Sequence, residues 1–266
     1  MKNAEQEGWQ KKFDHIFERW VPAMLEDLRR TLEVTCHFSG DRNSGSNFLG
    51  NMVILTGLEL LAKLNAPFRN PIGKKKKAPK KPLRFRDIDA TKAAKRFIKR
   101  YFNPIDPRYG RFAEMVWIMF RNGHVHTFLP KIVMNIPSHA STIFSAVDWA
   151  YDDPASRVGI TIANLEREIA NNGRTQVIER LAVKHLSLFR DVKGSIVFSM
   201  CPQIFLIDFK QAIEKFKHDL RTVPYKESLF LRGYNAFRRE LEIEFQDIRD
   251  RSLKSSLVKE LKLLKS

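Results

Sequence analysis

The sequence predicts a mainly α-helical protein: a four-helix bundle followed by a smaller α+β part. Three observations predict it. Up to about residue 130, apolar side chains recur at helical spacing in four segments. Past residue 135, runs rich in β-branched and aromatic residues alternate with turn signals. The chain then closes on a long amphipathic pattern that is again helical.

Residues 10–34 carry the first helix, with Phe13, Ile16, Phe17, Trp20, Met24, Leu25, Leu28 and Leu32 in register. "HFSGDRNSGSNF" breaks it, and its glycines lack the Lys-Ser/Thr that a phosphate-binding P-loop requires. The second helix, 48–64, is apolar almost all round, as a buried central helix should be. A proline- and lysine-rich connection over 65–85 leads into a third helix at 87–101. There Ile88, Ala94, Phe97, Ile98 and Tyr101 face inward, and Lys92, Lys95, Arg96, Lys99 and Arg100 occupy the remainder. "NPIDPRYG" makes a turn, and the fourth helix runs over 108–123. In the second half, "KIVMNI", "STIFSAVDWAY" and "RVGITIANL" supply short strands, and two alternating runs around "DVKG" predict a β-hairpin. "IDFKQAIEKFKHDLRTV" is helical, and Phe237, Leu241, Phe245 and Ile248 form the stripe of a long terminal helix. The division expected is a bundle over 1–135, with a basic loop at 66–86, and an α+β extension over 136–266 packed on it.

Charge narrows the function. The net charge is +17, and residues 66–131 hold 18 Lys+Arg against 4 Asp+Glu. Residues 1–65 are nearly neutral, with 8 against 9, and residues 132–266 hold 21 against 17. A field concentrated in one segment attracts a polyanion, either a nucleic-acid backbone or an anionic membrane surface. No window approaches eighteen uninterrupted apolar residues, so no membrane span is expected. The amino terminus lacks the apolar core of a secretory signal. The two cysteines, Cys36 and Cys201, lie far apart in sequence, which suits a reducing cytosol better than a disulfide framework.

The fourth helix ends in "RNGHVH", residues 121–126. A polar helix end with a glycine stop and basic residues near its dipole accounts for part of this. A catalytic cluster accounts for more. On an unbroken helix Arg121 and His126 would point about 140° apart, so a shared phosphate requires the helix to end or unwind at Gly123. Histidine is the side chain that accepts or donates a proton near neutral pH, and a guanidinium can hold the charge of a pentacoordinate phosphorane. His124 and His126 have no third ligand at a recognisable spacing, so a metal site is not expected. His15, His37, His139, His185 and His218 read as isolated and receive no role.

Arg121-Asn122, three residues and then His126 resemble the motif of the HEPN (higher eukaryotes and prokaryotes nucleotide-binding) superfamily of helical-bundle proteins. Glu59 and Lys63, in "ELLAK" on the second helix, are similar to that family's glutamate and base. "GSIVFSMCPQIFLIDFKQAIEKF" looks like the strand-and-helix extension of one prokaryotic HEPN-like group that carries "RNG" and "PK" around the same histidine. The resemblance covers residues 10–135 and, more loosely, the remainder.

It implies a cytoplasmic, metal-independent endoribonuclease without a cofactor, of the kind found in prokaryotic toxin–antitoxin and antiviral systems. In that role His126 is the general base or acid, Arg121 the transition-state stabiliser, Asn122 an orienting group, and Glu59 and Lys63 supporting residues. Lys74, Lys75, Lys76, Lys77, Lys80, Lys81, Arg96 and Arg100 would contact RNA. A homodimer would pair two clusters, and a cognate antitoxin or nucleotidyltransferase-like protein would be a partner. Two alternatives remain open: a non-catalytic HEPN-like RNA- or nucleotide-binding module, and a peripheral membrane or acidic-partner adaptor using the lysine loop.

Overall fold

Phe13, Ile16, Phe17, Val21, Leu28 and Leu32 are buried along one helical rod. It consists of α1 (Lys2–Asp14), a π-helical segment (His15–Trp20) and α2 (Val21–Phe38). The structure is a computed structural model; it describes residues 2–38, 49–66, 85, 88–121, 132–136, 140–153, 158–241 and 251–263.

Helix α3 (Leu49–Leu64) is the central helix its composition predicts, with Ile54, Leu55, Leu58, Leu61 and Leu64 fully buried. Helix α4 (Ala90–Phe97) starts where the Asp89 carboxylate accepts the Lys92 N–H at 3.0 Å, and it continues as a π-helical segment (Ile98–Phe102). Helix α5 (Pro107–Met115) begins with a proline in its first turn and an Asp106 cap on the Arg108 N–H. It too passes into a π-helical segment (Val116–Arg121), with Val116, Trp117, Met119 and Phe120 buried. The four helical segments read from periodicity are therefore present, three of them containing π turns that periodicity does not reveal.

The second half holds a mixed four-stranded sheet in the order β1-β2-β6-β5, from β1 (Val133–Ile136), β2 (Ala140–Val147), β5 (Ser187–Arg190) and β6 (Ile196–Met200). A separate two-stranded ladder pairs β3 (Tyr151–Asp153) with β4 (Val158–Gly159). The predicted hairpin is β5–β6: Asp191 Oδ1 accepts the Lys193 and Ser195 N–H groups at 2.9 and 2.8 Å, and Gly194 takes φ +79°. Strands β2 and β6 are parallel, which requires a crossover. Helices α6 (Ile162–Asn172) and α7 (Arg174–Arg180) lie within it. Strand propensity misleads here: among the described residues of "RVGITIANL" only Val158–Gly159 is strand, because the Thr161 hydroxyl caps the Asn164 N–H at 3.2 Å and starts α6.

Helix α8 (Pro202–Thr222) joins the halves. Its first eight positions are all buried, and Phe205, Phe209, Ile213 and Phe216 enter a core shared with the bundle. Phe216 meets Phe17 and Phe97 edge-on, at ring centroids 5.7 and 5.3 Å apart. Helix α9 (Pro224–Leu241) closes on α3 so tightly that a Cβ at Gly233 would sit 2.7 Å from the Leu64 carbonyl oxygen. The predicted terminal helix is divided between α9, where Leu241 is exposed, and α10 (Arg251–Leu263); Phe245 and Ile248 lie outside the described residues. Among the described residues, no helix is long and apolar enough to cross a membrane.

Candidate functional site

Glu59 and Lys63 sit one turn apart on α3, so their side chains share a face. The Lys63 ammonium lies 3.1 Å from Glu59 Oε1. The other carboxylate oxygen accepts from a different helix: Arg121, at the end of the π-helical segment, donates Nε–H to Oε2 at 2.9 Å and Nη2–H at 2.5 Å. All three side chains are largely enclosed, with 12–19% of their surface accessible. Aromatic rings fix both cations from the side. The Arg121 guanidinium lies 5.3 Å from the Trp117 ring centroid, and the Trp117 indole N–H is itself tied to the Thr91 hydroxyl at 3.1 Å. Lys63 lies 5.2 Å from the centroid of Phe85, a buried ring packed on Phe237.

Two cations around one carboxylate leave one net positive charge, the complement of a single phosphodiester. The carboxylate also holds the guanidinium by one edge, so little side-chain entropy is lost when another group binds it.

No known protein family, curated protein or solved structure matches this chain. Function has to rest on the residues themselves.

Of the candidate catalytic and supporting residues, Glu59, Lys63 and Arg121 meet although 62 residues separate Glu59 from Arg121. Asn122 and His126 lie outside the described residues, as does His124. So do Lys74, Lys75, Lys76, Lys77, Lys80 and Lys81. Arg96 and Arg100, the described members of the RNA-binding set, project from the α4 rod into a different region. They line a groove with Ala62 of α3 and with Asn65 and Ala66 just past its end. Arg100 donates Nε–H to Asp219 Oδ2 at 2.9 Å, and Asp219 also receives Lys226 at 2.8 Å. Lys226 is buried and touches the Tyr101 hydroxyl as well. Burial pulls its pKa below the ordinary lysine value, although Asp219 opposes the shift.

A second polar centre escaped the sequence reading. His185, read there as isolated, is wholly buried in a network joining the bundle to the second half. The Cys201 backbone N–H donates to His185 Nδ1 at 3.2 Å, which leaves the ring proton on Nε2, 3.1 Å from the Tyr109 hydroxyl. Tyr109 donates to Asp208 Oδ2 at 2.8 Å. Arg174 bridges Asp208, through Nε (2.9 Å) and Nη2 (2.7 Å), to Asp106 through Nη1 (2.7 Å). Arg108 pairs with Asp106 and donates to the His185 carbonyl at 2.9 Å. The available signal was Asp208 itself: a carboxylate inside "QIFLIDF" must find a buried partner.

Desolvation disfavours the charged form of His185 and lowers its pKa, despite the pull of Asp208. Burial also pushes the Cys201 thiol up to about 12, so it holds no thiolate at neutral pH. Among the described residues, no group of three His, Cys, Asp or Glu side chains is arranged to hold a metal ion.

Proposed function

We propose that this protein is a metal-independent endoribonuclease of HEPN type that cuts RNA by attack of its own 2′-hydroxyl. The observation that carries the reading is the docking of Arg121 on Glu59 beside Lys63. Two sequence patterns on separate helices, each similar to a HEPN motif, supply the members of one charged cluster. Arg121 would hold a phosphoryl oxygen and gain strength as charge gathers there in the transition state. Glu59 and Lys63 act through Arg121, by fixing its plane and setting the local charge. His126 would take the 2′-hydroxyl proton or protonate the leaving 5′-oxygen, and Asn122 would orient it. Since each chain carries one such cluster, a two-histidine mechanism requires a cytoplasmic homodimer that juxtaposes them. Toxin or antiviral action, with a neutralising partner, is the biological setting this chemistry suits.

The test is cleavage of single-stranded RNA in the presence of EDTA. The products should carry a 2′,3′-cyclic phosphate and a 5′-hydroxyl, and a deoxyribose at the cut position should block the reaction. His126→Ala should lose about 10²–10⁴ in rate while keeping the fold, and His124→Ala should lose little. If His124→Ala abolishes cleavage and His126→Ala does not, the histidine assignment is overturned. If RNA binds and is never cut, the chain is a binding module.

A further inference from the structure

Ala62, about 60–100° around α3 from Glu59 and Lys63, walls a separate groove of about 620 Å³ together with Asn65 and Ala66, just past the helix end. Its opposite walls come from the α4 rod and from the first turns of α9. Four cations line it, Arg96, Lys99, Arg100 and Lys226, and among the described residues no carboxylate does. Asp219, behind the groove, pairs with Arg100 and Lys226. Arg96 and Lys99 have no ion pair among the described residues.

Arg96, Lys99 and Arg100 stand at i, i+3 and i+4, where like charges repel on a helix face. That cost is offset when an anion sits between them.

Two further features describe the rest of the ligand. Asn65 lines the groove, and its Oδ1, enclosed where it stands, has no hydrogen-bond partner among the described residues; turned into the groove it would accept from a ligand's donor. Tyr225 lines the same groove with 58% of its surface exposed, above a floor that includes Phe97 and Leu229. An anion, a hydrogen-bond donor and a flat apolar ring are the three parts of a nucleotide.

We propose that this groove binds a nucleotide unit, with its phosphate on Arg96 and Lys99, its base against Tyr225 and a donor of the base or ribose on Asn65. A free mononucleotide and one residue of an RNA strand present the same chemistry. Beyond Arg100 a second hollow carries Lys215 and His218 but also Glu214 and Asp219, so the cationic lining favourable to phosphate is confined to the first groove. The groove takes no residue from the Arg121 cluster, so binding here stands whether or not the chain cuts RNA.

The experiment is calorimetric titration of the full chain with the four ribonucleoside monophosphates, with inorganic phosphate, and with a short 2′-O-methyl oligonucleotide that cannot be cleaved. Saturable binding of a monophosphate or of the oligonucleotide is expected. Arg96→Gln with Lys99→Gln should weaken it by about tenfold or more. Tyr225→Ala should weaken nucleotides by about tenfold and leave inorganic phosphate unaffected. Arg121→Ala should leave the groove's affinity unchanged, which separates it from the cleavage cluster. Displacement of a bound monophosphate by the oligonucleotide assigns the groove to a strand, and tighter binding of a monophosphate assigns it to a free nucleotide. Arg96, Lys99 and Tyr225 are exposed, so thermal melts of their variants should match the parent. No saturable binding of either probe, undiminished affinity in the Arg96/Lys99 variant, or equal losses for nucleotide and inorganic phosphate on Tyr225→Ala would overturn the proposal.

Discussion

Replacing Arg174 by Met removes one guanidinium and leaves two carboxylates in a desolvated space. Arg174 is 13% exposed, Asp208 not at all, and Asp106 only 6%. Asp106 keeps Arg108, but Asp208 loses both charge-assisted hydrogen bonds and retains only Tyr109 and the neutral His185. Breaking a buried pair from one side costs about 3–5 kcal/mol. At about 2–3 °C per kcal/mol for a chain this long, Tm should fall by roughly 6–15 °C.

The pH dependence provides an independent check. Burial alone would raise the Asp208 pKa, yet His185, 3.6 Å away, and the hydrogen-bonded Arg174 guanidinium outweigh burial and hold it below the ordinary carboxylate value. A depressed folded-state pKa gives stability that is present above the unfolded value, near 3.8, and lost as pH falls through the folded one. In Arg174→Met the desolvation is unopposed by the guanidinium, so Asp208 should protonate more readily than in the parent. Protonated, it no longer needs the missing cation. The Tm gap between parent and variant should therefore narrow as pH drops from 7 towards 4, as read by circular dichroism melts. A Tm loss under about 3 °C at pH 7, or a gap that widens in acid, would refute the reasoning.

Three further outcomes are expected. Glu59→Gln keeps the shape of the side chain but releases Arg121 from its charged partner. Single-turnover cleavage should slow by about tenfold to a hundredfold, while filter binding of RNA holds or tightens because a negative charge has gone. Replacing Lys74 to Lys77 by Ser should flatten the dependence of log affinity on log salt, by about 0.7 per lost phosphate contact on a single strand; an unchanged slope would remove this run from the RNA path. Because His185 is buried neutral with a lowered pKa, the unfolded chain takes up its proton first. Stability should fall as pH drops below about 6.5, and His185→Gln should remove that part of the acid limb in chemical denaturation.

How far the sequence could be read follows the range of the interactions. Helical periodicity is local, so the bundle segments, the buried character of α3 and the "DVKG" hairpin were legible from neighbours in the chain. The π turns were not. The wider turn at Val116–Arg121 leaves the apolar pattern nearly intact, with Val116, Trp117, Met119 and Phe120 still buried, so the pattern does not betray it. Strand propensity failed at Ile162 because a threonine cap outweighed two β-branched residues. At the candidate site, Glu59, Lys63 and Arg121 could be picked out because each falls in a short pattern. Their meeting was not in the sequence: it depends on how α3 packs against the end of the fourth helical rod. The Arg174 network was illegible because its members come from four places in the chain, each ordinary alone. Asp106 reads as a helix cap, Arg174 as a helix start, His185 as a loop residue and Asp208 as a break in an apolar run.

The excess of positive charge over 66–131 is best resolved by asking which cations are already committed. Arg121 is held by Glu59, Lys95 by Glu114, Arg108 by Asp106 and Arg100 by Asp219, all at 2.9 Å or less. Each pair cancels most of its own field a few ångströms away, so these residues add less to long-range attraction than a count suggests. Arg96 and Lys99 have no such partner among the described residues, and they stand on one face of the α4 rod beside an apolar floor. Helix α3 separates the two situations. On one of its faces a guanidinium is fixed in place by a carboxylate and an indole, an arrangement that favours orientation over affinity. Beside its end, less constrained cations border a groove with an exposed ring, which favours affinity. A chain that both grips and cuts a polyanion needs both kinds of cation. The expected separation of Arg121→Ala from the Arg96/Lys99 variant, with rate lost in one and affinity in the other, follows from that division of charge.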